Sequence, residues 1–315
     1  MKFVNLGNDK IPSIAIGTWS WGSGINGGNR IFGNSYNQND LEPVYQYAVK
    51  NGFTLWDTAA VYGMGASETI LGNCMKKSDN IILSTKFTPL GIQLKGAMEK
   101  SLEKSKQRLK INNVDIYWIH NPSNIEKWTL QAAKLYKKGY IKHIGISNHN
   151  LEQAKKAFNI LKEQGIHLSA MQNHYSLIYR TSEDEGLLKW CEENDVKFFS
   201  YMVLEQGALT GKFNSENPFK SGTRRAKAFP PEILKKLEPL TKAMKNVGER
   251  YGADPAQIAI AWAMAKGTVP IVGATKISNV ESLIKVDSIA LEREEIEYLE
   301  ETAKKTGVSV KAGWE

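Results

Sequence analysis

Two cysteines are all that the 315 residues contain. Cys74 and Cys191 lie too far apart in the chain to form a metal-ligand or disulfide spacing. A disulfide-stapled secreted scaffold is therefore not expected, and an intracellular, cytoplasmic protein is. The chain also lacks any run of about 18 apolar residues, the length a helix needs to cross a bilayer, so no membrane partner is expected. Its opening, Met1-Lys2-Phe3-Val4-Asn5, has no long apolar segment of the kind that marks a secretory signal. Proline is sparse, at 10 residues, and no Pro/Gly-rich linker divides the chain, so residues 1–315 are expected to form one domain. The stretch 214–231, with Pro218, Gly222, Pro230 and Pro231, reads as a large loop within it.

Acid is scarcer than base: 33 Asp and Glu against 41 Lys and Arg leave a formal charge of +8. The lysines are scattered over segments such as 95–110 and 134–142, without the stripe of basic and aromatic residues that nucleic-acid binding needs. A solvated surface is the reading, with no nucleic-acid partner. Hydrophobic residues at 42% and charged residues at 23% exclude a disordered or collagen-like chain. A chain of this size can bury roughly 75% of its unfolded surface in one core.

What is present is an alternation of short β-forming runs with longer helical segments. Strands are expected at 14–16, 54–56, 81–85, 114–119, 141–146, 168–171, 196–200 and 268–271. Helices are expected at 41–50, 67–75, 94–109, 130–137, 151–162, 185–193, 232–247, 256–264 and 280–286, with a terminal helix at 294–303. Eight β-then-α units in this length match an α/β fold of the closed parallel (β/α)8 TIM-barrel type. The β-branched runs fit strands covered on both faces. A doubly wound open sheet is the alternative. A short N-terminal β-hairpin and a C-terminal accessory helix are expected beside the repeat.

Barrel chemistry gathers at the C-terminal ends of the strands. Asp57, Lys86 and His120 stand just after three successive apolar runs, and Tyr62 follows Asp57 in the loop. Strands about 4.8 Å apart let such side chains converge. Singly, each has an ordinary structural reading: Asp57 as a helix cap, Tyr62 as loop packing, Lys86 as a solvated amine, His120 as a core-edge histidine. Their joint placement favours shared chemistry. A tyrosine hydroxyl titrates near 10, and Lys86 beside it is expected to lower that value. Asp57 would keep Lys86 charged, and His120 would hydrogen-bond a substrate oxygen. Such a cluster can protonate an alkoxide as hydride reaches a carbonyl carbon, and reclaim the proton in reverse.

The sequence resembles the aldo-keto reductase family over essentially its whole length. The matching segments are Gly17-Thr18-Trp19, Trp56-Asp57-Thr58-Ala59-Ala60-Val61-Tyr62-Gly63, Ser67-Glu68, Ser84-Thr85-Lys86 and Asp115-Ile116-Tyr117-Trp118-Ile119-His120. Later come Gly145-Ile146-Ser147-Asn148, Gln172-Asn173 and Glu205-Gln206-Gly207-Ala208-Leu209-Thr210-Gly211-Lys212-Phe213. The resemblance implies a barrel that binds a nicotinamide cofactor without a Rossmann domain and reduces aldehydes or ketones with NADPH. It implies that Asp57, Tyr62, Lys86 and His120 form the catalytic tetrad, with Tyr62 as proton donor. Ser147, Asn148 and Gln172 would bind the nicotinamide carboxamide, and Tyr201 would stack on the ring. Gly17, Thr18, Trp19, Asp57, Met202, Leu204, Gln206, Gly207 and Lys212 are further expected cofactor contacts.

The segment from Pro270 to Asn279 resembles the family loop that cradles the adenosine phosphate, giving Gly273, Thr275, Lys276 and Asn279 as candidates. Many relatives carry Arg where Thr275 stands, Gln or Arg at Asn279, and a Glu-Asn pair at Ser282-Leu283. NADPH is the expected cofactor, with use of NADH left open. Arg224 and Arg225 on the long loop either supply the missing charge or face solvent. For the substrate, a small carbonyl compound or alcohol, the expected pocket is Trp19, Trp21, Tyr62, Trp118, His120 and Asn121, with 30–36, Met202 and Val203 as further walls. The chain is expected to be a monomer or weak homo-oligomer.

The same residues bear on other functions. A metal hydrolase would need a compact His/Cys/Asp cluster, which His143, His149, His167 and His174 do not spell out, so no metal is expected. A lyase would use Lys86 as an imine-forming amine. A cofactor-binding regulatory subunit would keep the cleft with little turnover, and the full tetrad argues for retained chemistry.

Overall fold

The computed structural model describes residues 1–311. Its first elements are an antiparallel hairpin, β1 (Phe3–Leu6) and β2 (Asp9–Pro12), paired from Phe3 opposite Pro12 to Leu6 opposite Asp9. Eight parallel strands follow: β3 (Ala15–Gly17), β4 (Leu55–Asp57), β5 (Ile82–Phe87), β6 (Val114–Ile119), β7 (Ile141–Ser147), β8 (Ala170–His174), β9 (Lys197–Tyr201) and β10 (Val269–Gly273). They close in sequence order, with β10 pairing back onto β3, into the expected (β/α)8 barrel. The hairpin and the terminal helix, Arg293–Thr306, are also where the sequence led one to expect them. No helix among the described residues is long and apolar enough to cross a membrane.

Alternate residues of a strand face opposite sides, and this sorts the core into two. Ala15, Leu55, Ile116, Trp118, Ala170, Phe199 and Val269 pack together inside the barrel, and Leu6 and Ile11 of the hairpin join the same cluster. The hairpin thus plugs the barrel at the end where β3, β4, β8 and β10 begin. The outward residues Ile16, Trp56, Leu83, Phe87, Tyr117, Ile144, Ile146, Met171 and Phe198 pack against the helical ring in the larger core. Their burial on both faces explains why the strands read as nearly continuous apolar runs.

The observed boundaries differ from the expected ones where local chemistry decides. The helix expected from 94 is Ala97–Leu109, because Gly96 at φ 92 turns the chain just before it. The helix expected at 130 starts at Ile125, where Asn124 accepts the Lys127 N–H as an N-cap. The sixth barrel strand runs to His174, so Gln172 lies within the strand rather than after it. The loop 214–231 holds a short helix, Arg224–Ala228.

Candidate active site

The inward period of two carries polar side chains one layer above the apolar barrel interior. Leu55 is followed two positions on by Asp57, Trp118 by His120, Ala170 by Gln172, and Phe199 by Tyr201. Gly17, Ser147 and Gly273 end β3, β7 and β10. These positions and the loops beyond them line a cleft of about 750 Å³, at the end of the barrel opposite the hairpin. All eight strand ends contribute to it.

Lys86 is wholly buried. Its ammonium is ion-paired with Asp57 Oδ2 and donates to the Thr58 carbonyl at 2.9 Å and to the Tyr62 hydroxyl at 3.2 Å. Asp57 Oδ1 accepts from Ser84 Oγ and from Gln172 Nε2, the latter at 3.1 Å. A buried carboxylate needs such partners, and three strand-borne groups, Lys86, Ser84 and Gln172, supply them here. Tyr62 reaches the cluster because its loop turns sharply: Gly63, Met64 and Gly65 have φ of 58°, 55° and 95°, a left-handed run that glycine at two of three positions permits. Its ring stacks on Trp19 at 6.0 Å and meets His120 edge-on at 6.3 Å.

Burial pushes the Tyr62 hydroxyl above its ordinary value, with Lys86 pulling it down and Asp57 raising it further. The lowering expected from Lys86 alone is therefore reversed by desolvation, and the phenol holds its proton at neutral pH. Burial also works against the Lys86 charge, but Asp57 and Tyr62 outweigh it, and the amine titrates above the usual lysine range. Burial and the Lys86 charge bring His120 down to about 3, so its ring is neutral. Thr88 Oγ1 lies 2.9 Å from His120 Nδ1. With Thr88 donating, the ring proton stands on Nε2. The arrangement is a neutral acid and a neutral donor beside a fixed buried cation, suited to giving a proton to a developing alkoxide.

Around this core the cleft is lined by Gly17, Thr18, Trp19, Ser147, Asn148, Gln172, Tyr201, Met202, Leu204, Gln206, Gly207, Lys212, Arg224, Arg225, Gly273, Thr275 and Asn279. Asn148 makes three hydrogen bonds: its Nδ2 donates to the His120 carbonyl at 2.9 Å and to Asn121, and its Oδ1 accepts from Tyr201. Ser147 Oγ, Gln206 Oε1 and Arg225 Nε are buried without a hydrogen-bond partner. Arg225 packs over Phe213 and Phe219, 5.3 and 4.9 Å from the ring centroids.

Two expectations need correcting. Trp21 and Trp118 are wholly buried and do not line the cleft. Trp21 donates to the Ala274 carbonyl at 2.9 Å and packs edge-on against Trp56. Trp118 belongs to the barrel interior, edge-on to Phe199 at 5.2 Å. It lies so close over Gly145 that a Cβ there would come within 2.2 Å of its ring. Lys276 is exposed at the rim, beside the lining residue Thr275. The Thr275 and Lys276 N–H groups donate to Asn279 Oδ1 at 3.1 and 3.0 Å, so the Asn279 oxygen organises this turn.

Sequence reasoning missed Ser84, which holds Asp57, and Thr88, which holds His120. It also missed the parts of the wall made by Val61, Leu90, Thr210 and Phe213. Ser84 stands two residues before Lys86, on the same strand face, a signal that was available. The remaining histidines are engaged elsewhere: His143 with Asp9 and Ser169, His149 with the Ser147 carbonyl, His167 with the Asp195 carbonyl and His174 with Glu205. Among the described residues no group of three or more His, Cys, Asp or Glu could hold a metal ion.

The chain is similar to known proteins along nearly its full length. A chloroplastic pyridoxal reductase of Arabidopsis thaliana is 29% identical, covering 98% of this chain and 87% of the relative. The NADP(+) aldo-keto reductase yakc of Schizosaccharomyces pombe is 30% identical, covering 88% and 84%. The solved structure of a glycerol dehydrogenase from Gluconobacter oxydans superposes with a TM-score of 0.85 at 23% identity, covering 96% of this chain and 95% of that one. The model of the aldo/keto reductase family matches residues 13–304, and this chain belongs to that family.

Proposed function

We propose that this protein reduces an aldehyde or ketone to the alcohol with NADPH, reversibly, and that Tyr62 is the proton donor. The observation that carries the reading is the Tyr62 hydroxyl held 3.2 Å from the buried, Asp57-paired ammonium of Lys86 at the wall of a cleft fed by all eight strands. The same geometry argues against an imine-forming Lys86, because the amine stays protonated and is engaged by three oxygens.

The residues present fit a nicotinamide dinucleotide. Ser147 and Gln206 line the cleft, and their Oγ and Oε1 atoms are buried without hydrogen-bond partners, a state in which buried polar groups are rarely left. In this reading Ser147, Asn148 and Gln172 meet the carboxamide, Asn148 also holds the Tyr201 hydroxyl and the His120 carbonyl, and the Tyr201 ring faces the nicotinamide. Gly17, Thr18, Trp19, Met202, Leu204 and Gly207 form the contact walls. Lys212, Arg224, Arg225, Gly273, Thr275 and Asn279 face the phosphates, with Lys276 at the rim. The bound cofactor supplies hydride.

The protein's own groups do the rest. Asp57 fixes Lys86 as a cation, and Lys86 stabilises the phenolate left when Tyr62 gives its proton to the substrate oxygen. His120 donates from Nε2 to that oxygen without titrating, since its Nδ1 is taken by Thr88. Trp19, Phe32, Tyr36 and Leu90 exclude water over the carbonyl, with Asn121 as a polar contact. That yakc carries NADP(+) in its name supports the cofactor. Buried, free Cys74 and Cys191 fit a reducing, cytoplasmic setting, and the one-domain chain would act as a monomer or weak homo-oligomer on a small molecule.

The test is NADPH and NADH oxidation by the purified protein, in parallel, over a broad panel of aldehydes and ketones. Reduction of reactive aldehydes, faster with NADPH, is expected. A folded protein that binds the cofactor yet reduces nothing on the panel would overturn the assignment in favour of a non-catalytic subunit.

A further inference from the structure

Behind Tyr201 lies a buried polar cluster that the proton-transfer chemistry does not use. The ring of His174, the last residue of β8, stacks on Tyr179 at 4.0 Å and 8° between planes, and lies near-parallel to Tyr201 at 5.7 Å and 20°. Its Nε2 is 2.8 Å from Glu205 Oε1, and Ser176 Oγ donates to the same oxygen. Glu205 is wholly buried, and its other oxygen has no hydrogen-bond partner. A buried carboxylate is costly unless paired, so the pairing on Oε1 is what keeps Glu205 in place.

The backbone beside it is unusual in the same way. Met202, Glu205 and Gln206 have φ of 57°, 48° and 57°, and Gly207 follows at 108°. Three side-chain-bearing residues in the left-handed region within five positions are sterically disfavoured. They persist only where the surroundings hold them. That turn presents Met202, Leu204, Gln206 and Gly207 to the cleft. The register that sets His174 beside Tyr201 lets one carboxylate tie the strained turn to the neighbouring strand.

We propose that Glu205, gripped by His174 and Ser176, is a positioning residue that clamps the turn 202–207 and the Tyr201 ring in the geometry that receives the nicotinamide half of the cofactor. The proposal rests on the NADPH reading above. The clamp is built from β8 and the turn after β9. The Asp57–Lys86 pair stands on β4 and β5, on the opposite side of the barrel. Loss of the clamp should therefore loosen the cofactor and spare the carbonyl side.

The test uses the full chain and reads NADPH binding directly, by quenching of protein fluorescence and by the emission of the bound nicotinamide. Glu205→Ala should raise the NADPH Kd about tenfold and shift the bound emission toward that of free NADPH. The aldehyde KM at saturating cofactor should stay within about twofold of the parent. Glu205→Gln keeps the size and an acceptor oxygen for His174 and Ser176, and should recover most of the affinity. If both variants bind NADPH within about twofold of the parent while melting at lower temperature, Glu205 only supports the fold and the proposal is overturned. Should Glu205→Ala fail to fold, Glu205→Gln and His174→Gln carry the test, and unchanged Kd in both overturns it equally. A parent chain that binds no NADPH overturns the functional reading as well, whereas a parent that binds normally beside unmoved variants overturns this proposal alone.

Discussion

Tyr62→Phe removes one oxygen and separates chemistry from folding. The ring keeps its stack on Trp19 and its edge contact with His120, and Lys86 keeps Asp57 and the Thr58 carbonyl. The hydrogen bond lost, at 3.2 Å, is one that contributes about 1 kcal/mol net. Thermal unfolding and NADPH affinity should therefore stay close to the parent. The reaction should not. A positioned general acid supplies about 10²–10⁴ in rate, or roughly 3–5 kcal/mol at the transition state. Tyr62 is held here as a neutral donor by burial rather than ionised by Lys86, so the substitution removes the phenolic proton that the reaction draws on. The assay is a stopped-flow single turnover with NADPH-loaded enzyme at saturating aldehyde, read as loss of nicotinamide absorbance. Steady-state turnover would hide the defect if cofactor release limits the parent. A single-turnover rate within about threefold of the parent would refute Tyr62 as the acid.

Lys86→Met should slow the same step and also destabilise the fold, because it strands the buried Asp57 carboxylate with only Ser84 and Gln172. Breaking a buried pair costs about 3–5 kcal/mol, so a variant as stable as the parent in urea titration would contradict the geometry. His120 titrates at about 3 and Tyr62 above its usual value, so the single-turnover rate should be flat between about pH 5.5 and 8.5. An inflection near the ordinary histidine value would show a charged His120 in the step. Lys276→Ala should weaken NADPH binding about fivefold more than NADH binding, measured by titration. Equal losses would move discrimination to Arg224, Arg225 or Thr275. Gly145→Ala should destabilise by about 1–3 kcal/mol through overpacking against the Trp118 ring, and a neutral result in chemical denaturation would place Trp118 elsewhere.

The barrel and the convergence of Asp57, Tyr62, Lys86 and His120 were legible because both depend on short-range order. Apolar runs of fixed length mark strands covered on both faces, and a polar residue just past each run falls at the barrel mouth whatever the loops do. Asp57, Lys86 and His120 needed nothing more, and Tyr62 needed only a tight Gly-Met-Gly turn. The direction of the Tyr62 shift was not legible. It follows from the depth of the cleft rather than from the identity of its neighbour, and burial outweighs Lys86.

The tryptophans went astray for a different reason. Trp118 shares an inward face with His120, so its polarity of facing was readable, but its depth was not. One layer separates lining a pocket from filling the barrel interior, and what decides it is a partner on the next strand. Gly145 stands opposite Trp118 in the β6–β7 register and leaves the space that the indole fills. The Glu205–His174 contact has the same origin. The two residues are distant in sequence, and only the β8–β9 register, with His174 opposite Tyr201, brings the turn after Tyr201 over the end of β8. Pairwise features set by register lie beyond what periodicity along one strand can reveal. Loop walls such as Val61 and Phe213 lie further beyond, since loops carry no period at all. The layer at the mouth therefore reads from one strand at a time, while the packing that holds it reads only from strands taken together.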